Sequence, residues 1–397
     1  MDNRVGVEEF VEANSNTTRL QRLCEHFRKR KLMWIISSII LIVVIIVIPT
    51  TIVTGNKNKE KKPSTTTTEI TTAITTFTTT AEITTTMTTE SGQMLSSVII
   101  DNKTKWYQNA STVAGGNGWG SALNQLGYPA GFYIDDDDES IYIADGFNAR
   151  IVRWEFGAKE GEIVAGGNGL GQLGLVTDVI LDKEKKYLFI CEQIRKRVIR
   201  WSRHNTHDYQ IWISDIYCWG LTMDDNGDLY VTDGDNFEVR RFQEGDKIGK
   251  VVAGGNGEGN QLNQLNGPSF IFVDKYHTVY VVDNGNNRVM KWKENAIEGI
   301  LVAPGQVSDK NPSSMSQPIG VVVDHIGNIY VSSFTIHQIM RWSPGAIEGT
   351  PVVGEELPGE GSTYLIDAGD ISFDRHGNLY VIDIKNHRIQ KFTIDLD

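Results

Sequence analysis

The stretch Asn287-Arg-Val-Met-Lys-Trp292 recurs along the chain with its basic residue and its closing aromatic in place. The counterparts are ARIVRW (149–154), KRVIRW (196–201), FEVRRF (237–242), HQIMRW (337–342) and HRIQKF (387–392), so the closing aromatics lie 47, 41, 50, 50 and 50 residues apart. A period of this length marks a repeat architecture and has to be read before any single motif. Two further segments precede each copy, as in GVVVDHIGNIYVSS (320–333) and DISFDRHGNLYVID (370–383), where runs rich in Val, Ile and Tyr flank a tight turn. Asn226-Gly-Asp, Ile326-Gly-Asn and His376-Gly-Asn supply residues that tolerate positive φ at such turns. A fourth apolar segment follows: EIVAGG (162–167), KVVAGG (250–255), ILVAPG (300–305) and TPVVG (350–354). Each unit therefore reads as a four-stranded antiparallel meander.

Six such units without intervening helices predict an all-β fold, a six-bladed β-propeller, because blades packed around an axis bury both faces of every sheet. A solenoid would need distinct capping units, and none is visible. The last unit ends after three strands, and the missing one stands at the other end as Ser111-Thr-Val-Ala-Gly-Gly116. That strand is expected to complete the sixth blade and lock the ring. An Asp ending the second strand, Asn or His with Arg opening the third, and a basic-aromatic ending together resemble the NHL repeat, as in Asp283 to Trp292 and Asp383 to Phe392. The resemblance spans residues 111–397 and implies six-bladed propellers. It leaves function open, since NHL propellers include RNA-binding ligase subunits, extracellular sensors and a peptide-amidating lyase.

Working outward, residues 96–397 form the expected propeller and three segments precede it. Leu32 to Val53 carries no charge and is long enough to cross a bilayer as a helix. Residues 1–31 would be a cytoplasmic tail, since Arg19, Arg22, Arg28, Lys29, Arg30 and Lys31 precede the span. Residues 54–95 are Thr-rich and resemble a disordered, mucin-like stalk. The sequons at Asn102 and Asn109 are usable only in the secretory lumen and agree with that orientation. The expected protein is thus a single-pass type II glycoprotein with a signal anchor and an extracellular head, at the plasma membrane or in the Golgi.

Several motifs invite a chemical reading. Gly169-Leu-Gly-Gln-Leu-Gly174 matches the dinucleotide fingerprint, but two strands follow it in place of the helix such a site needs, so no cofactor is expected. Asp145, Glu192, Asp233, Asp283, Ser333 and Asp383 share one repeat position; Arg150, Arg197, Glu238, Arg288, Gln338 and Arg388 share another. In the fifth unit acid and base disappear together, which favours a structural clasp over acid–base chemistry. The acidic runs at 135–139 and 224–228 lack EF-hand spacing and fall on first turns, where solvated acids are common, and the histidines do not converge, so no metal site is nominated. Cys191 and Cys218 are a disulfide candidate in an oxidising lumen.

The whole chain carries a formal charge of -12, and the acidic head lacks the basic face that phosphate binding needs, so no nucleic-acid partner is expected. The long loops between blades favour recognition: those at 117–131 and 256–269 are nearly alike and read as structural, whereas 305–320 and 355–369 differ and nominate Met315 and Tyr364. Trp212, Tyr217 and Trp219, assigned to the third unit, are further rim candidates, with buried packing as the alternative. The expected function is a binding module for a protein, peptide or glycan. A propeller enzyme of the lyase or lactonase type with an axial metal would want histidines or carboxylates clustered at the starts of first strands, and the sequence reading finds none. An adhesive head is a third alternative.

Overall fold

The computed structural model describes residues 100–167, 173–205, 207–305 and 315–396. They form six four-stranded antiparallel sheets in a ring. The first strands are Pro129–Asp135, Val176–Leu181, Leu221–Met223, Pro268–Val273, Pro318–Val323 and Ala368–Phe373. They pack against one another in turn and so surround the axis. Second strands such as Val279–Asp283 and Leu379–Asp383 are buried at every residue. This explains their continuous Val, Ile and Tyr content: both faces lie against apolar neighbours, so no polar alternation is possible.

The ring closes as the repeat predicts. Ser111–Gly115 pairs with Arg388–Phe392 and becomes the outer strand of the sixth blade. A second tie lies just before it, where Lys105–Trp106 pairs with Ile394–Asp395. The buried Trp106 stacks on Phe373 and donates its indole N–H to the Gly377 carbonyl at 2.8 Å. Sequence-distant ends are thereby held by both a ladder and a packed indole.

The closing aromatics Trp154, Trp201, Phe242, Trp292, Trp342 and Phe392 are all buried. A glycine before the fourth strand makes room for them: a Cβ at Gly349 would fall 2.6 Å from the Trp342 ring. Several first-turn acids are part of this framework, while Asp137, Glu139 and Asp225 are exposed. Asp374 accepts the amides of His376 and Asn378 and the Tyr380 hydroxyl. In the acidic run, Asp135 is buried against Lys185 at 2.6 Å and Asp138 meets Arg203 at 2.6 Å, so these carboxylates tie the first blade to the second. The expected span at 32–53 and the stalk at 54–95 lie outside the described residues. Among the described residues no helix is long and apolar enough to cross a membrane.

Candidate functional site

The clasp between second and third strands organises the long loops. Arg150 Nε donates to Asp145 Oδ2 at 2.7 Å, and its other nitrogens reach the carbonyls of Ser121, Ala122 and Gln125. The second Asp145 oxygen accepts the Gly127 amide at 2.6 Å. Asp283–Arg288 and Asp383–Arg388 repeat the arrangement on loops 256–267 and 355–366. Each guanidinium thus fixes an interblade loop as well as a carboxylate, and three of the long loops are one rigid structure used three times.

That finding changes the rim candidates. Met315 is only 1% exposed and packs among Val289, Ala303 and Met340, in the place that Leu126, Leu265 and Leu365 hold in their own loops. Its thioether is core, because the loop needs an apolar plug there, and it cannot contact a ligand. Tyr364 lends its carbonyl to Arg388 and packs over Gly359, as Gln125 does over Gly120, so its half-exposed ring belongs to the loop scaffold. Trp212 lies on the outer strand of the second blade (Tyr209–Ser214), not in the third unit, and packs against Phe189 and the Arg200 guanidinium. Tyr217 and Trp219 are half-buried between the second and third blades. Cys218 between them is disulfide-bonded to Cys191, with Cα atoms 5.7 Å apart. Asn102 and Asn109 are both exposed.

Carboxylates do occupy the axis, contrary to the sequence expectation. A channel of about 500 Å³ runs from the third position of the first strands to the first turns. Ile180, Met223, Phe272 and Val322 line its walls, and Asp182, Lys183, Lys185, Asp224 and Asp225 stand at its mouth. Its inner end holds Asp178 and Asp370, both buried. Asp178 accepts the Val179 amide at 2.8 Å and the Leu221 amide at 2.7 Å; Asp370 accepts those of Ile371 at 2.9 Å and Phe132 at 3.3 Å. Each carboxylate therefore reaches across to the next blade, and neither has a cationic partner among the described residues. Burial raises both above the usual carboxylate range, and the charge of Asp370 raises Asp178 further.

The signal was present in the repeat. The same position is Gly131, Gly220, Phe270 and Gly320 in the other blades. Glycine suits it because first strands approach closely: a Cβ at Gly131 would lie 2.3 Å from Asp178 Oδ1 and 2.8 Å from the Thr177 carbonyl. Two aspartates among glycines are a departure that comparison of the units could have exposed. Among the described residues no three His, Cys, Asp or Glu side chains gather as a metal would require. The two axial carboxylates alone do not fit a metal of the lyase or lactonase kind.

The opposite face carries a second feature. Trp119 and Phe147 are 58% and 54% exposed, with ring centroids 5.5 Å apart. Tyr128 stacks on Phe147 at 4.7 Å, and His387 meets Trp119 edge-on at 5.5 Å. The loop at 117–131 had been set aside because it resembles the one at 256–269, yet these rings distinguish the two.

Fold and site together define a six-bladed β-propeller with an axial channel. An NHL-repeat family model matches residues 216–242, at the third blade. No curated protein sequence matches the chain. Solved structures share the fold at low identity. A structural genomics protein of unknown function from Bacteroides thetaiotaomicron is 16% identical, with 72% of this chain and 76% of that one covered and a TM-score of 0.57. An auxiliary nutrient binding protein from the same organism is 13% identical over the same shares, also at 0.57. A gluconolactonase from Xanthomonas campestris is 14% identical over 69% of this chain and 89% of its own, at 0.51.

Proposed function

We propose that this chain is a single-pass type II membrane protein whose propeller head, carried outside the cell on a Thr-rich stalk, binds a ligand in the axial channel without transforming it. The observation that carries the binding site is the pair Asp178 and Asp370, buried at the end of an apolar-walled channel without a cation. Burial of ionisable groups costs stability, and three blades do without them by using glycine, so their retention is best accounted for by work on a ligand. Two carboxylates that favour protons suit a group rich in hydrogen-bond donors, such as a peptide amine or the hydroxyls of a glycan. The membrane reading rests on the uncharged span, the basic residues before it, and the sequons after it.

The test uses the full-length chain in detergent, with immobilised peptides bearing free amino termini and neutral oligosaccharides as probes. Capture that falls at least about tenfold in Asp178→Asn and in Asp370→Asn supports the reading, since truncating a buried polar contact in an interface costs that much or more. Capture by the channel variants equal to wild type refutes it. The same carboxylate pair favours a second reading, an acid–base enzyme of the lyase or lactonase type; release of an altered product from captured probe, abolished in Asp370→Asn, would establish that one instead.

A further inference from the structure

We propose that the aromatic group formed by the exposed Trp119 and Phe147 with the half-buried Tyr128 and His387 beside them is a stacking platform for a neutral sugar ring, a site separate from the axial channel. The internal repeat supplies the control. In the fourth blade the equivalent positions to Trp119, Tyr128 and Phe147 are Glu258, Gly267 and Gly285, in a loop of the same shape: the bridge from Trp119 to Leu126 is matched by that from Glu258 to Leu265. The loop fold therefore requires none of the three rings, and their gathering at one place is additional to it. Exposed apolar side chains scattered singly need no explanation, but a contiguous cluster marks an interaction surface.

The ligand class follows from what the platform offers and what it lacks. Every carbonyl from Gly120 to Leu126 already accepts a hydrogen bond inside the molecule, from Asn148, Arg150, Gln125, Gly161, Asn117 or Gly120. A peptide strand would find each of these backbone acceptors already engaged. What remains is ring faces, fixed in place by the Arg150 clasp, and so available for stacking at little cost in side-chain order. Charge points the same way. Burial lowers the His387 imidazole from its usual range, so it is neutral at physiological pH, and Asp145 beneath is paired with Arg150. An uncharged aromatic surface on an acidic head suits the C–H face of a neutral pyranose better than a charged ligand.

The placement also suits a ligand that arrives from outside. Trp106 and Ile394 tie the start of the described chain to the face of the first turns, where the channel opens. The strand Ser111–Gly115 then crosses the blade and delivers Trp119 to the opposite face. The platform is thus turned away from the side on which the chain enters the head.

The experiment applies the full-length chain in detergent to arrays of neutral, sialylated and sulfated glycans and, in parallel, of linear peptides. Trp119→Glu is the informative variant, because Glu already stands at this position in the equivalent loop and the fold tolerates it. Retention on neutral hexose or hexosamine glycans is expected, reduced at least about tenfold in Trp119→Glu and in Phe147→Ala and retained in Trp119→Phe. Failure to retain any neutral glycan overturns the proposal, as does equal retention by Trp119→Glu. Trp119-dependent capture confined to the peptide array overturns the ligand class.

Discussion

Replacing Asp370 by Asn removes one of the two axial charges while keeping nearly the same shape, and its effect should reverse sign with pH. Burial pushes Asp370 from its ordinary 3.8 up to about 7. The unfolded chain therefore ionises first as pH rises, gaining stability the folded chain does not share. Between these two values the folded state holds the extra proton, so stability falls as pH rises, and the loss is complete above the folded value. A displacement of that size corresponds to roughly 4 kcal/mol withheld from folding at pH 8. Asparagine escapes this cost but turns an amide nitrogen toward either the Ile371 or the Phe132 N–H, a mismatch of roughly 1–3 kcal/mol at any pH. The variant should accordingly be more stable than wild type by about 1–3 kcal/mol at pH 8 and less stable by a similar amount near pH 4. Urea unfolding of the full-length chain, followed by tryptophan fluorescence at several pH values, measures the difference directly. Parallel stability profiles for the two proteins would refute the reasoning, because they would mean that Asp370 ionises alike in both states.

Two further substitutions probe the framework around the sites. Arg288→Ala leaves the buried Asp283 carboxylate without its cation and takes the guanidinium donors away from three carbonyls of the 256–267 loop; it should destabilise the head by roughly 3–5 kcal/mol and make that loop the first point of proteolytic cleavage. Gly131→Ala places a methyl 2.3 Å from Asp178 Oδ1, and the forced shift of the first two blades should lower stability by roughly 1–3 kcal/mol, read as a fall in the thermal midpoint.

The repeat made much of the framework legible before any coordinates. Blade number, strand order, the closing role of Ser111–Gly115 and the structural character of the Asp–Arg clasp all follow from periodicity, because each depends on neighbours at a constant distance along the chain. Met315 was misread for an instructive reason: its loop differs in sequence from the others, and without a shared motif the Leu position it fills could not be aligned. Trp212 was placed one unit too late because the second blade's outer strand lacks the VAGG pattern. Among the first-turn acids, Asp135 and Asp138 depart from the solvated reading, since their partners Lys185 and Arg203 come from the next blade, whereas Asp137 and Glu139 are exposed.

What the sequence determined by itself is the architecture: a ring of six meanders, each with its own turn residues and its buried closing aromatic, and four of them with an acid–arginine clasp. Those features are set by local pattern and recur from unit to unit, so a failure in one copy is corrected by comparison with the rest. The tertiary structure alone decided where function can lie. Asp178 and Asp370 are 192 residues apart and become neighbours only because first strands converge on the axis, which also strips them of water. Trp119 and His387 come together only because the last blade borrows its outer strand from the beginning of the head. Periodicity reports what each unit shares, whereas a site is made where non-identical residues of different units are brought within reach by closure of the ring.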